Sequence, residues 1–435
     1  MKFKIYLCIA VLILSSCSNK NAKWMYKQKP AFYSYIIGNV NNTHIDTAYL
    51  PEVYTTPASC QKTVTALVAL KSLGPDFRYE TKLYKTKKDF IIQFAGDPTL
   101  TLDNLISLLT PLKNKNIRHL ILDASIFQLP THSLNIMMDD PGKPYAQPVS
   151  AMNIDQNLIH LKPQISNDIT YNHDAGYKIK SLVKQTDEAS AVNFYWKGAT
   201  IIAEGVLNSK DHDKTFKISP LEIEPYVLNK VKQAMRELKI KGKIIIIHDA
   251  TKLPKHPILV NTIYSEKLSE IIKPALKTSD NLVFDSLYLK ILHSSQNEGI
   301  KKWEDGDKVI KALIKQHFNL DMNNALFVDG SGLSPYNRIQ PQQLFALLKQ
   351  GYHIKEFTDA LPSTGKELSS LKEMNHLPQN IKAKLGSLPG ISCLCGFGGK
   401  ESRPKTFVVM SNSFAPPLKD SFIVISKFIK SHLGK

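Results

Sequence analysis

From Asp89 to Ala250 the chain runs through short β-rich stretches, DFIIQFAG, HLILDASIF, VNFYWKGATIIAEGVL and KIIIIHDA, broken by turn clusters, with helical periodicity on both sides of them. Only LDNLISLLTPLK and VLNKVKQAMRELK read as helices inside this region, and no internal repeat is evident. A strand is expected ahead of it at AFYSYIIGNV. After Pro257 the helical pattern is expected to return at EKLSEIIKPALK, SDNLVFDSLYLKILH and DKVIKALIKQHF. Strand signals at SCLCGFG and TFVVMSN and an amphipathic helix at KDSFIVISKFIKSHL close the chain. That order, helix-rich, β-rich, then helix-rich, fits a segmented domain interrupted by an insertion. At 435 residues one ordinary core is not enough.

The first helical segment is TTPASCQKTVTALVALKSLG. Val64, Leu67, Val68, Leu70 and Leu73 fall at helical spacing, and Gly74-Pro75 ends the run. Ser59 and Lys62 then share one face of its first turn. Spacing alone does not single them out, since Ser181/Lys184, Ser363/Lys366, Ser369/Lys372 and Ser402/Lys405 repeat it.

Lys and Arg outnumber Asp and Glu by 56 to 38, a formal charge of +18 that suits an anionic partner. The lysines are scattered among apolar residues as on solvated faces, with no basic block, so nucleic-acid binding is not expected. The start MKFKIYLCIAVLILSSCSNK has two lysines, an apolar run from Ile5 to Leu14 and small residues up to Cys17. Those are the three parts of a secretory signal, with an apolar run too short to span a membrane comfortably. Leu14-Ser15-Ser16-Cys17 also resembles the bacterial lipobox, which makes Cys17 a candidate lipidated N-terminus. An exported, periplasmic, lipid-anchored protein is expected, with Ser18 favouring the outer membrane. The remaining Cys60, Cys393 and Cys395 form neither a disulfide framework nor a metal module, and are expected as buried free thiols.

Three short sites carry chemistry when read together: Ser59-Cys60-Gln61-Lys62, Ser279-Asp280-Asn281 and Lys384-Leu385-Gly386-Ser387. A serine hydroxyl needs a base before it can attack, and a lysine becomes one only when burial and neighbouring positive charge lower its pKa. The second site offers a hydroxyl for proton relay and an amide to hold a peptide. The third offers a second cation beside a strand edge. Together they compose a serine acyl-transfer centre of the S-x-x-K, S-D-N, K-T-G type.

At this point the sequence resembles the low-molecular-mass class C penicillin-binding proteins, the penicillin-binding protein 4 type of D-alanyl-D-alanine carboxypeptidase/endopeptidase. TPASCQKTVTALVALKSLGPDFRYETKL, FAGDPTLT, DDPGKPYAQPVSAMNIDQN, SDNLVFDSL, VDGSGLSPYNRI, DALPSTGKELSSL and KAKLGSLPGISCLCGF follow in family order and cover most of the chain after the signal. The resemblance implies an α/β (α+β) fold of the serine β-lactamase/DD-peptidase, transpeptidase-like kind, with a large β-rich insertion between the first and second motifs. Residues 1–17 would be the signal, 18–84 and 253–435 the two parts of a catalytic domain, and 85–252 the accessory insertion.

By the same resemblance, Ser59 would attack the carbonyl of the penultimate D-alanine of a peptidoglycan stem peptide, with Lys62 as base. Ser279 and Asn281 would relay a proton and bind the substrate backbone, and Lys384 would supply positive potential near the substrate carboxylate. The N–H groups of Ser59 and of Ser387, which follows Gly386, would form the oxyanion hole. β-Lactams would acylate Ser59, and no cofactor or metal is implied.

The chain also departs from the family pattern. Leu385 stands where the family has a threonine that helps bind the substrate's terminal carboxylate. Losing such a bond costs about 1.5 to 3 kcal/mol, or about ten- to a hundredfold in rate, so carboxypeptidase activity is expected to be weakened. Asp140 and Tyr145 align with residues that approach the diaminopimelate side-chain terminus, while Pro335 replaces the arginine of that subsite and Arg338 lies three residues on. Two other readings compete: a degenerate relative that binds muropeptide or a partner without efficient turnover, favoured by Leu385, and a β-lactamase or esterase on the same scaffold.

Overall fold

The computed structural model describes residues 32–434 apart from 88, 128–130, 133–136, 138–139, 167, 174, 296–301, 304, 366–370, 372–373, 375 and 414–417. The signal-like start with Cys17 lies outside the described residues, as do Lys366, Ser369 and Lys372 of the additional Ser-x-x-Lys pairs. No described helix is long and apolar enough to cross a membrane.

The chain opens with β1 (Phe32–Asn39) and β2 (Ile45–Tyr49), then α1 (Gln61–Ser72). The inserted region runs through β3 (Glu80–Lys85), β4 (Asp89–Gln93), α2 (Leu102–Leu109) and β5 (Asn116–Asp123). It continues with β6 (Ile159–Ile165), β7 (Ile169–Asn172), β8 (Lys178–Thr186), β9 (Ala191–Lys197), β10 (Thr200–Asn208), β11 (Phe216–Ile218), α3 (Ile223–Glu237), β12 (Lys241–Ile247) and β13 (Ile258–Tyr264). The return to the first domain is helical: α4 (Leu268–Thr278), α5 (Asn281–Ser295), α6 (Asp305–Phe318), α7 (Pro341–Gly351) and α8 (Lys355–Ala360). Last come β14 (Lys382–Leu388), β15 (Ile391–Lys400), β16 (Arg403–Asn412) and α9 (Leu418–Leu433).

One five-stranded sheet has the order β14-β15-β16-β1-β2, so the first strand of the described chain pairs with the last. β1 and β16 are antiparallel with Ile36 opposite Val408. Both faces of this sheet are covered. Ile36, Cys393, Cys395, Val408 and Met410 join the core around α1 and α7. Tyr35, Ile37, Leu385, Leu394, Phe407 and Val409 pack with Phe422, Ile425, Phe428 and Ile429 of α9. That double burial is why FYSYIIGN and TFVVMSN show no polar alternation.

The inserted region builds a second five-stranded sheet, β12-β5-β4-β3-β13, and two three-stranded sheets, β8-β10-β9 and β11-β6-β7. Its five-stranded sheet extends from Glu80 to Tyr264. The strands on which the chain enters and leaves, β3 and β13, are neighbours at one end of this sheet. ILVNTIY, for which no element was expected, is a strand: β13 pairs antiparallel with β3, and α4 begins at Leu268 within EKLSEIIKPALK, as expected.

Candidate active site

Ser59 lies in a short 3-10 turn, Ala58–Cys60, that leads into α1. Ala58 holds φ +46°, a left-handed conformation that costs an alanine about 1–2 kcal/mol and turns the chain sharply ahead of the serine. α1 is buried from Gln61 to Leu70, so the position of Lys62 is set by packing on every side. Edge strand β14 presses on the same turn. A Cβ on Gly386 would stand 2.7 Å from Pro57 O, 2.8 Å from Cys60 N and 2.9 Å from Ser59 N, so only glycine fits. Cys60 Sγ donates to Lys384 O at 3.2 Å and ties the turn to the strand.

Lys62 has no exposed surface. Its Nζ stands 3.0 Å from Ser59 Oγ, 2.6 Å from Asn281 Oδ1 and 2.6 Å from the carbonyl oxygen of Ser331. The last two are acceptors only. A neutral amine therefore points its two N–H bonds at Asn281 and Ser331 and turns its lone pair to the Ser59 hydroxyl. Burial, and after it the Lys384 charge, bring the Lys62 pKa down to about 7, against the opposing pull of Asp285, Asp329 and Asp280. Lys384 is itself buried and lowered to about 8 by desolvation.

Ser279 ends α4 in a left-handed conformation, φ +61°, and Asn281 begins α5 two residues later. Asp280 accepts the N–H of Val283 at 3.1 Å, which starts the helix and turns its neighbours toward Lys62. Ser59, Ser279, Asn281, Ser387, Asp140 and Tyr145 all line one cavity of about 580 Å³, closed on one side by the β14–β15 turn at Pro389–Gly390. Tyr145 donates its hydroxyl to Asp140 Oδ1 at 2.9 Å, and its main-chain carbonyl accepts Asn281 Nδ2 at 2.7 Å. The accessory insertion thus contributes a wall of the site.

Two expectations change. Leu385 does not line this cavity; it packs, 8% exposed, against the α9 side of the sheet. Side chains alternate along a strand, so with Lys384 and Gly386 turned toward α1, Leu385 faces the other way. Lys384 is not among the residues lining the cavity either: its Nζ donates to Leu385 O at 2.6 Å, and its charge acts on Lys62. Arg338 is engaged with Thr56 Oγ1 and the carbonyls of Pro335 and Asn337. Cys60, Cys393 and Cys395 are free and buried, as expected.

Sequence reading assigned no role to a group directly behind Lys62. Asp285 Oδ1 accepts the N–H groups of Gly330 at 3.0 Å and Ser331 at 2.8 Å. Asp329 accepts from Gly332 N at 2.7 Å and Ser334 N at 2.6 Å, holding the other side of the same turn. Gly332 has φ +80°, and a Cβ there would lie 1.9 Å from Ala58 O. The available signal was the DGSG run and an aspartate four residues after Asn281 on one helix face.

A family model described as the D-Ala-D-Ala carboxypeptidase 3 (S13) family matches residues 26–424. The chain is 25% identical over 400 residues to the D-alanyl-D-alanine carboxypeptidase DacB of Haemophilus influenzae, covering 83% of this chain and 81% of that protein. It is 22% identical over 434 residues to the penicillin-sensitive carboxypeptidase A of Dictyostelium discoideum, covering 88% and 82%. The crystal structure of penicillin-binding protein 4 from Haemophilus influenzae superposes with TM-score 0.81 at 23% identity, over 95% of this chain and 98% of that one. A predatory endopeptidase from Bdellovibrio bacteriovorus, in complex with an immunity protein, superposes at TM-score 0.53 and 18% identity over 93% and 92%. These structures share the fold.

Proposed function

The chain belongs to the D-Ala-D-Ala carboxypeptidase 3 (S13) family, and we propose that it opens the D-Ala–D-Ala bond of peptidoglycan stem peptides through an acyl-enzyme on Ser59. The observation that carries this reading is the surroundings of Lys62, which leave its lone pair one partner, the Ser59 hydroxyl.

In the acylation step Ser59 Oγ bonds to the carbonyl carbon of the penultimate D-alanine while its proton passes to Lys62 Nζ. The charge gathering on the carbonyl oxygen meets the N–H groups of Ser59 and Ser387, donors already fixed before the reaction. As the C–N bond breaks, the leaving amine takes a proton from Lys62, with the Ser279 hydroxyl as relay. Water then attacks the ester, again giving a proton to Lys62, and Ser59 recovers its own. A β-lactam follows the first half of this path. Its leaving nitrogen stays tethered in the opened ring, so the acyl-enzyme persists.

Asp140 and Tyr145 form the part of the cavity that meets the side chain of the third stem residue. Arg338 is held by Thr56 and the Pro335 carbonyl, so a carboxylate at that terminus finds less cationic help than the family pattern provides. Cys17 is the attachment point for a lipid anchor on the exported protein. The leucine that spoke for a non-hydrolysing relative lies in the core behind the sheet and no longer favours that reading.

Labelling with a fluorescent penicillin, together with D-alanine release from a pentapeptide and cleavage of a cross-linked dimer, tests this function. Wild type should label and cleave, and Ser59→Ala should do neither. A folded wild-type protein that neither labels nor cleaves would end the proposal.

A further inference from the structure

Two of the three contacts of Lys62 Nζ trace back to one helix. Asn281, at the start of α5, supplies its oxygen directly. One turn on, Asp285 accepts the Gly330 and Ser331 N–H groups, and the Ser331 carbonyl is the other acceptor for Lys62. The turn between them is gripped closely. Thr65 Oγ1 of α1 donates to Gly330 O at 2.8 Å, and a Cβ on Gly330 would lie 2.2 Å from Phe284 O of α5.

Resting on the acyl-enzyme reading above, we propose that Asp285 is a positioning residue for the base: as a hydrogen-bond acceptor it holds the Gly330–Ser331 main chain so that the Ser331 carbonyl seats Lys62 with its lone pair toward Ser59. Acceptance, rather than negative charge, is what the geometry asks of it. Burial and the neighbouring Asp329 push the Asp285 carboxyl up to about 8, and the oxygen facing the two N–H groups accepts in either protonation state. The charged groups around the pair are Lys62 of α1, Lys384 of β14, Asp280 ahead of α5, and Asp329 in the turn.

The test compares Asp285→Asn, which keeps an acceptor oxygen, with Asp285→Ala, which does not. Two quantities are read: the pH-dependent rate of acylation by a fluorescent penicillin, and the titration midpoint of Lys62 from NMR of lysine-labelled protein. In the alanine variant the unseated Ser331 carbonyl no longer stabilises the Lys62 ammonium. The Lys62 midpoint should fall by about one pH unit and acylation should drop about tenfold. Asparagine should rescue acylation to within about threefold of wild type and keep the Lys62 midpoint above that of alanine, since both variants lose the Asp285 charge and only asparagine still seats the Ser331 carbonyl. The idea is overturned if alanine leaves both readings where they were, or if asparagine loses as much as alanine. Should the alanine variant not fold, the asparagine variant decides alone: acylation about tenfold or more below wild type overturns the idea. If wild type is not acylated at all, the functional reading fails, and the Lys62 midpoints still decide the role of Asp285.

Discussion

The Asn281 side-chain amide donates to the Tyr145 main-chain carbonyl at 2.7 Å, so the inserted region holds the second motif from outside while Lys62 holds it from within. Each end of that amide has one job. Asn281→Asp loses the donor to Tyr145 and sets a carboxylate against Lys62. An opposite charge at hydrogen-bond distance favours the ammonium, so the acid limb of the pH–rate profile should move to higher pH. At neutral pH, acylation should fall at least tenfold, which stopped-flow penicillin binding across pH would measure.

Lys62 is lowered to about 7 by burial first and Lys384 second, and only its neutral form can take the Ser59 proton. Acylation should therefore rise about tenfold per unit up to pH 7 and level off above it. A rate flat from pH 5 to 8 would exclude Lys62 as the base.

Lys384→Met removes the like charge that ranks second among those causes. Without it the Lys62 pKa should rise, by about one unit, and the acid limb should follow in the same direction. The opposite sign would mean that Lys384 acts on substrate rather than on the base.

Gly386→Ala should abolish penicillin labelling, because its methyl would meet Ser59 N, Cys60 N and Pro57 O, all main-chain atoms, at under 3.0 Å. Labelling close to the wild-type rate would show that β14 can retreat from the nucleophile.

Leu385→Thr should lower stability by about 2 kcal/mol, since it trades packed carbons for a hydroxyl in an apolar cluster. D-alanine release from a pentapeptide should not increase. Denaturant unfolding and product assay together check this, and a clear gain in release would return Leu385 to the substrate side of the strand.

The nucleophile helix was legible because its evidence is local: apolar positions at helical spacing, a polar first turn, and Gly74-Pro75 as a stop. Half of the described strands could be read for the same reason: β1, β4, β5, β9, β10, β12, β15 and β16. β13 could not, since ILVNTIY has no polar alternation and becomes a strand by pairing with β3, far back in the chain.

Sequence by itself determined which residue types stand at the three motifs and the order in which they arrive. Tertiary structure alone decided what surrounds them. Lys62 meets Asn281 and Ser331 across separations of 219 and 269 residues, and no local pattern encodes such neighbours. The same holds for Leu385. Its identity suggested a damaged substrate pocket, but which of two faces it takes depends on how β14 lies against the Ser59 turn. Gly386 settles that by letting the strand approach the nucleophile, and strand alternation then turns Leu385 into the core.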